Sequence, residues 1–147
     1  MPKVVIAFLQ NTWVKNPEKL SEIYSRHDEE FRIRMIKLLL FSGGSITGKR
    51  LVNAFGRNIC NQIIWEEGSP LITDNPRQFV PPEDEHIKKA LEKYQPDLVI
   101  SFGKANEKVI QKLWSGDLLI LPHPAARQNG TVARLKSASS KIEEALA

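Results

Sequence analysis

The chain has 147 residues, of which 41% are hydrophobic and 26% are charged, and its formal net charge is +4. This length and balance predict a single globular domain, residues 1–147, with a core large enough to fold without a disulfide or a metal. Cys60 is the sole cysteine, which excludes an internal disulfide framework and a cysteine-held iron–sulfur cluster.

No stretch of the sequence approaches the roughly 18 apolar residues of a membrane span, and the apolar run near the start is too short for the core of a signal peptide. We therefore expect a cytoplasmic protein with no membrane partner. A net charge of +4 permits contact with nucleic acid without demonstrating it, because many metabolic enzymes are equally basic.

Apolar runs and capping residues predict strands that alternate with helices along the chain. The strands are expected at about residues 4–9, 63–65, 98–102 and 118–121, and the helices at about 17–24, 27–40, 47–55, 82–95, 105–114 and 132–146. This alternation predicts an α/β fold, a three-layer sandwich with a short, four-stranded parallel sheet and helices on both faces.

Residues 68–82 form a long loop in this scheme. The segment contains Gly68 and four prolines, so we expect an ordered loop. A loop of this length in a small domain is usually functional.

Residues 43–50 (Gly-Gly-Ser-Ile-Thr-Gly-Lys-Arg) fit the first part of a phosphate-binding P-loop. Arg50, however, stands where that motif needs a Ser or Thr hydroxyl to hold magnesium. The segment also lies far from the first strand. We therefore favour a helix–loop–helix joint with a cationic cap over a nucleoside triphosphatase site.

The segment Gln10-Asn11-Thr12-Trp13 follows the first strand, at the edge of the sheet where ligands of parallel sheets bind. The Asn11 carboxamide can hold a water or a substrate edge there; the alternative is a turn residue bonded to its own backbone. Trp13 is either a stacking wall for a planar ligand or a part of the core.

The segment His123-Pro124-Ala125-Ala126-Arg127 follows the fourth strand. The prolines on either side of His123 stiffen the loop and fix the direction of the imidazole, which favours function over a histidine bonded to backbone in a turn. Arg127 can meet a phosphate as a bidentate donor; alone it would be a surface arginine.

The other reactive side chains do not form a recognisable site. His27 and His86 lie among charges on predicted helices, and no histidine pair has the spacing of metal ligands. Cys60 has no basic partner nearby in sequence, and no GxSxG motif is present. We expect no metal, no cofactor and no covalent nucleophile.

The two loops, in this order, resemble the motifs of the uracil-DNA glycosylase superfamily. The family's first motif, such as G-Q-D-P-Y, follows its first strand as Leu9-Gln10-Asn11-Thr12-Trp13 does here. The second motif, such as H-P-A-x-x-R, matches residues 123–127. Residues 48–51 and 96–105 resemble the family's helix start and third-strand segment. The resemblance implies the family's fold, with an active site across the strand ends.

The resemblance also implies roles for the residues of the first and second motifs. Asn11 would position the hydrolytic water. His123 would donate to the uracil O2, where negative charge gathers as the glycosidic bond breaks. Gln10 would line the substrate site, and Trp13 would stand at the pocket wall.

Further substrate contacts follow from the same resemblance. Lys104 and Arg127 would meet phosphates, and Pro124 belongs to the loop that would enter the minor groove. Glu66 and Glu67 occupy the strand end where many members have an asparagine that reads the uracil edge. A carboxylate there would accept from base N–H groups and repel the O4 carbonyl.

The sequence departs from the family at other positions too. Leu9 and Thr12 stand in place of the glycine and the proline of the first motif, and the cysteines of the cluster-bearing members are absent. These differences indicate a divergent member with an altered pocket.

The expected function is that of a monomeric DNA glycosylase that releases a deaminated or mismatched base, flipped out of single- or double-stranded DNA. A different class remains open: a non-catalytic binder of nucleic acid or nucleotides on the same fold. A small-molecule enzyme is a third reading, because a fold does not dictate a function.

Overall fold

A computed structural model describes residues 3–75, 77–126 and 130–147 of the chain. The strands are β1 (Val5–Leu9), β2 (Ile64–Glu67), β3 (Leu98–Phe102) and β4 (Leu118–Leu121). The helices are α1 (Pro17–Ser25), α2 (Glu29–Ser42), α3 (Ile46–Phe55), α4 (Arg57–Gln62), α5 (Asp84–Tyr94), α6 (Glu107–Leu113) and α7 (Thr131–Leu146).

The four strands pair in parallel in the order β2-β1-β3-β4. Strand β1 lies inside the sheet, and all five of its residues are buried. A strand buried on both faces has no need of polar alternation, which explains its continuous apolar sequence. The predicted α/β class, with a four-stranded parallel sheet and helices, is confirmed.

Helices pack against both faces of the sheet. Side chains of successive strand residues point to opposite faces, and the core divides accordingly. Val5, Ala7 and Leu9 pack in one cluster with residues of α2, α3, α4 and α7. Ile6 and Phe8 pack in a second cluster with residues of α5 and α6.

Most element bounds agree with the sequence prediction to within two residues, and the differences have local causes. Helix α4 was not predicted, because its six residues are mostly polar and show no apolar stripe. It begins directly after Gly56, whose φ of 86° lets the chain turn from α3 into α4 without a loop. Helix α3 begins one residue earlier than predicted, with Ser45 as its N-cap, since the Ser45 hydroxyl accepts from Gly48 N.

The P-loop-like segment is a helix–loop–helix joint, as expected. Ser45 Oγ accepts from Gly48 N at 3.0 Å and donates to Leu40 O at 2.9 Å. Gly48 lies so close to α2 that an added Cβ would stand 1.7 Å from Leu40 O. The glycine is therefore needed for helix packing.

Among the described residues, no helix has both the length and the apolar character needed to cross a lipid bilayer.

We expect Gly48→Ala to destabilise the protein by about 1–3 kcal/mol or more, because the new methyl group collides with backbone that cannot rotate away. Urea unfolding at neutral pH measures the change. Ile46→Ala in the same turn, at a side chain that is 64% exposed, is the matched control and should stay close to the parent. Equal stability of Gly48→Ala and the parent would contradict the tight joint.

Candidate functional site

The carboxyl ends of the four strands gather the predicted site loops at one edge of the sheet. Asn11 follows β1 and His123 follows β4, and β3 lies between these strands. Neighbouring strands are about 4.8 Å apart, so the ends of β1 and β4 are separated by roughly 10 Å. This span is wide enough for one planar heterocycle with a hydrogen bond on each side.

The centre of this edge is fixed by one backbone carbonyl. Leu9 O, at the end of β1, accepts from Gly68 N at 2.7 Å and from the buried Asn106 Nδ2 at 2.8 Å. Gly68 has no room for a side chain, because an added Cβ would lie 2.2 Å from Asn106 Oδ1. The ends of β1, β2 and β3 are thereby held together.

The loop after β2 is fastened onto the loop after β1. Thr73 N donates to Thr12 O at 3.1 Å, and Val14 N donates to Thr73 O at 2.9 Å. Gln10 Nε2 donates to Gln78 O at 3.2 Å. The prediction that this long loop is ordered agrees with these contacts, and Gln10, predicted to line the substrate site, anchors the loop.

Asn11 is half-buried, and its amide nitrogen is fully used. Nδ2 lies 3.0 Å from Thr12 O, 3.3 Å from Leu71 O and 3.2 Å from Thr73 Oγ1. These acceptors fix the amide, and no donor of the described residues is bonded to Oδ1, which can therefore accept from a water or a ligand. Asn11 thus makes the turn contacts that sequence reasoning gave as one alternative, and its amide oxygen suits the other.

His123 is half-buried and is held in one tautomer. Its Nδ1 accepts a hydrogen bond from Ala125 N at 3.0 Å, so the ring proton belongs on Nε2. Burial lowers the pKa of His123 below its usual value, and the imidazole is neutral at pH 7. Beside it, Gly103 has φ +82° and presents bare backbone, with its hypothetical Cβ 3.8 Å from His123 Cβ.

Arg50 braces the same loop from α3. Its Nη1 donates to Pro124 O at 2.9 Å and to Ala126 O at 2.8 Å. Ala126 N in turn donates to His123 O at 2.9 Å. The arginine that breaks the P-loop pattern therefore shapes the histidine loop, a role that sequence reasoning missed because the partners lie more than 70 residues apart.

Glu66 is a buried structural carboxylate, in contrast to the substrate-binding role expected of it. Its Oε2 lies 2.6 Å from Arg32 Nη2, and its Oε1 accepts from Glu67 N at 2.7 Å. His86 Nε2 lies 3.3 Å from Oε1, off the hydrogen-bonding direction. Burial acts to raise the pKa of Glu66, but the nearby His86 and Arg32 outweigh it and lower the pKa. Its oxygens are thus committed to α2, α5 and the backbone.

The pKa of Glu67 is raised, in contrast to that of Glu66. Burial first, and the Glu66 charge second, raise the pKa of Glu67 to about 8. Thr12 Oγ1 donates to its Oε1 at 3.2 Å, and its Oε2 is buried with no protein partner among the described residues. A neutral carboxylic acid therefore lies at the end of β2, directly beside the Asn11 loop.

The other residues predicted to contact the substrate differ in their exposure to solvent. Trp13 is 51% exposed, so it is not part of the core. Lys104 is exposed, and Pro124, within the histidine loop, is buried. Arg127 lies outside the described residues.

Neither the cysteine nor the carboxylates of the described ranges suggest other chemistry. Cys60 is buried, and burial raises its thiol pKa to about 11, which leaves it unreactive. Within residues 3–75, 77–126 and 130–147, no three His, Cys, Asp or Glu side chains cluster in a way that could hold a metal ion.

Comparison with protein-family models gives no match to this chain, and comparison with curated proteins gives none either. The candidate site therefore rests on its own geometry.

Arg50→Met should loosen the histidine loop, because two carbonyls lose a charged donor worth about 1.5–3 kcal/mol. Amide hydrogen exchange of Ala125 and Ala126 measures this directly, and we expect both to exchange about tenfold faster or more. Lys49→Met, the exposed cation next in sequence, is the control. Unchanged exchange in Arg50→Met would show that the loop holds itself.

The raised pKa of Glu67 predicts that the free energy of unfolding falls between pH 6.5 and 8. In this range the folded protein retains a proton that the unfolded chain, with a Glu pKa of 4.5, has already released, so rising pH favours unfolding. His123 opposes this slope only near pH 6.5, because its pKa is lowered in the folded protein and both the folded and the unfolded chain have released its proton by pH 8. The slope is at most about 1.4 kcal/mol per pH unit.

Urea unfolding of the parent and of Glu67→Gln at pH 6.5 and 8 tests this. The neutral amide should remove most of the slope, whereas Glu92→Gln at an exposed position should keep it. A parent without the slope, or a Glu67→Gln variant that retains it, would show that Glu67 is ionised in the folded protein.

Proposed function

We propose that the protein is a DNA N-glycosylase, with a uracil-DNA glycosylase-like fold, that releases a deaminated or mismatched base flipped into the carboxyl edge of the sheet. The observation that carries this proposal is the hydrogen bond from Ala125 N to Nδ1 of His123, which places the ring N–H on Nε2. His123 lies across β3 from Asn11, whose amide oxygen accepts no hydrogen bond from the described residues.

His123 supplies what a departing base needs. Cleavage of the N-glycosidic bond leaves the bonding electrons on the base, and the charge spreads to its carbonyl oxygens. A fixed Nε2–H donor in a poorly solvated site stabilises that charge without having to reorganise. Because Ala125 N–H occupies Nδ1, the donor cannot be lost to the other tautomer.

Asn11 supplies the acceptor for the attacking water. With Nδ2 held by three oxygens, Oδ1 accepts a hydrogen bond from the water and orients a lone pair toward C1′ of the sugar. An amide has little proton affinity, so the water attacks an already cationic, oxocarbenium-like sugar, and the proton that it loses passes to the departed base anion or to solvent. We expect a slower enzyme than one with an aspartate at this position.

The neutral form of Glu67 supports a base with a carbonyl on its edge. The acid is buried and carries no charge, so the repulsion between a carboxylate and a base carbonyl disappears. Thr12, on the same loop as Asn11, holds its Oε1. Glu66 is less suited to this role, because it is buried and its Oε2 lies 2.6 Å from Arg32 Nη2.

A non-catalytic nucleic-acid binder is the second candidate. The turn contacts of the Asn11 amide suit a structural asparagine as well as a catalytic one. A binder needs only the exposed rim of this edge, where Trp13 and Lys104 lie.

The decisive assay uses labelled oligonucleotides that carry uracil, hypoxanthine, xanthine or a G·T mismatch, followed by alkali to reveal abasic sites. We expect base release from at least one substrate by the parent. Asn11→Ala and His123→Ala should each lower the rate by tenfold or more, since each removes a group that touches the transition state.

Asn53→Ala and His27→Ala, at exposed positions outside the site, are the matched controls and should keep the parent rate. Release that both site variants retain would assign the chemistry to other residues. No release from any substrate by the folded parent would turn the conclusion to the binding module.

A further inference from the structure

Three large apolar side chains lie exposed on the two loops that cover the carboxyl edge. Trp13 is 51% exposed, Leu71 is 51% exposed and Phe79 is 64% exposed. Here we call them the apolar platform. Large aromatic and aliphatic side chains are unfavourable in contact with water. Their presence together on loops at the carboxyl edge of the sheet indicates a contact surface.

The platform is held by the backbone contacts that fasten the two loops. Trp13 pairs with Thr73 in an isolated parallel bridge. Leu71 O accepts from Asn11 Nδ2, and Gln78, next to Phe79, accepts from Gln10. The exposed rings therefore stand on an ordered segment adjoining Asn11, and binding to them carries little cost of loop ordering.

Charge around the platform is biased toward cations. The described residues of the loops that follow the four strands carry Lys15, Arg77 and Lys104 against Asp74 and Glu83. The connections at the opposite edge of the sheet carry Lys3 against Asp97 and Asp117. The first set is net positive by one charge and the second net negative by one.

The three cations of these loops are available to bind phosphates. In the part of the chain that the structure describes, Lys15, Arg77 and Lys104 have no carboxylate within ion-pair distance. The carboxylate of Glu83 is engaged by the Ser69 hydroxyl.

We propose that the apolar platform binds the unpaired bases of single-stranded nucleic acid beside the Asn11–His123 site. Unpaired bases offer flat apolar faces for Trp13 and Phe79 to stack upon, while Lys15, Arg77 and Lys104 meet the backbone phosphates. In duplex these faces are already stacked on one another and are closed to the platform. This inference rests on the proposed function, to which it adds the strand form that the site takes.

The test is binding of fluorescently labelled, undamaged 15-nucleotide strands, oligo-dT and oligo-U, and of a mixed-sequence duplex of equal length, at one fixed salt concentration. We expect the parent to bind at least one single strand tenfold or more tighter than the duplex. A preference between oligo-dT and oligo-U names DNA or RNA as the partner. Equal or tighter binding of the duplex, or no binding, would overturn the inference.

Variants show whether the platform is the contact. Trp13→Ala and Phe79→Ala should each weaken single-strand binding by roughly 5- to 150-fold, the loss of one stacked base. Trp13→Phe should restore most of it. Leu38→Ala, at an apolar side chain of 52% exposure on α2, should have no effect. Unchanged binding in both alanine variants, each with the parent's circular dichroism spectrum, would contradict the platform.

The outcomes also separate this inference from the catalytic proposal. Base release from duplex without single-strand binding would refute the platform and leave the glycosylase intact. Single-strand binding that depends on the platform, without base release from any substrate, would refute the catalytic step and support the platform.

Discussion

The carbonyl of Leu9 is the constraint on which the candidate site depends. It ends the buried strand β1 and accepts from Gly68 N, directly after β2, and from Asn106 Nδ2, at the start of α6, so these three segments meet at one atom. A buried carbonyl with two donors is fully satisfied, and losing either donor would leave a polar group unpaired in the core. Asn11 lies two residues after Leu9, so its position depends on these two hydrogen bonds.

Two adjacent carboxyl groups, in different charge states, organise the end of β2. Glu66 keeps its charge because Arg32 and His86 surround it, and that charge helps to keep Glu67 neutral. The arrangement costs desolvation, which the contact with Arg32 offsets. The carboxyl group buried beside the Asn11 loop is therefore a neutral acid and not a carboxylate.

The segment that most resembled a nucleotide site serves the fold. Gly48 permits α2 and α3 to approach, and Arg50 crosses to the histidine loop. One short stretch thus connects helix packing to the orientation of His123. Arg50 argued against a P-loop because it replaces a Ser or Thr. In the tertiary structure the same residue holds the histidine loop.

The sequence by itself determined the α/β class, the strands, the loop order and the placement of Asn11 and His123 beyond strand ends. These follow from apolar runs and from Gly, Pro and cap residues, which act within a few neighbours. Only the tertiary structure decided which polar groups are free. Glu66 pairs with Arg32 over 34 residues, and Arg50 reaches Pro124 over 74. Such pairs depend on how helices dock onto the sheet, and no local pattern encodes that docking.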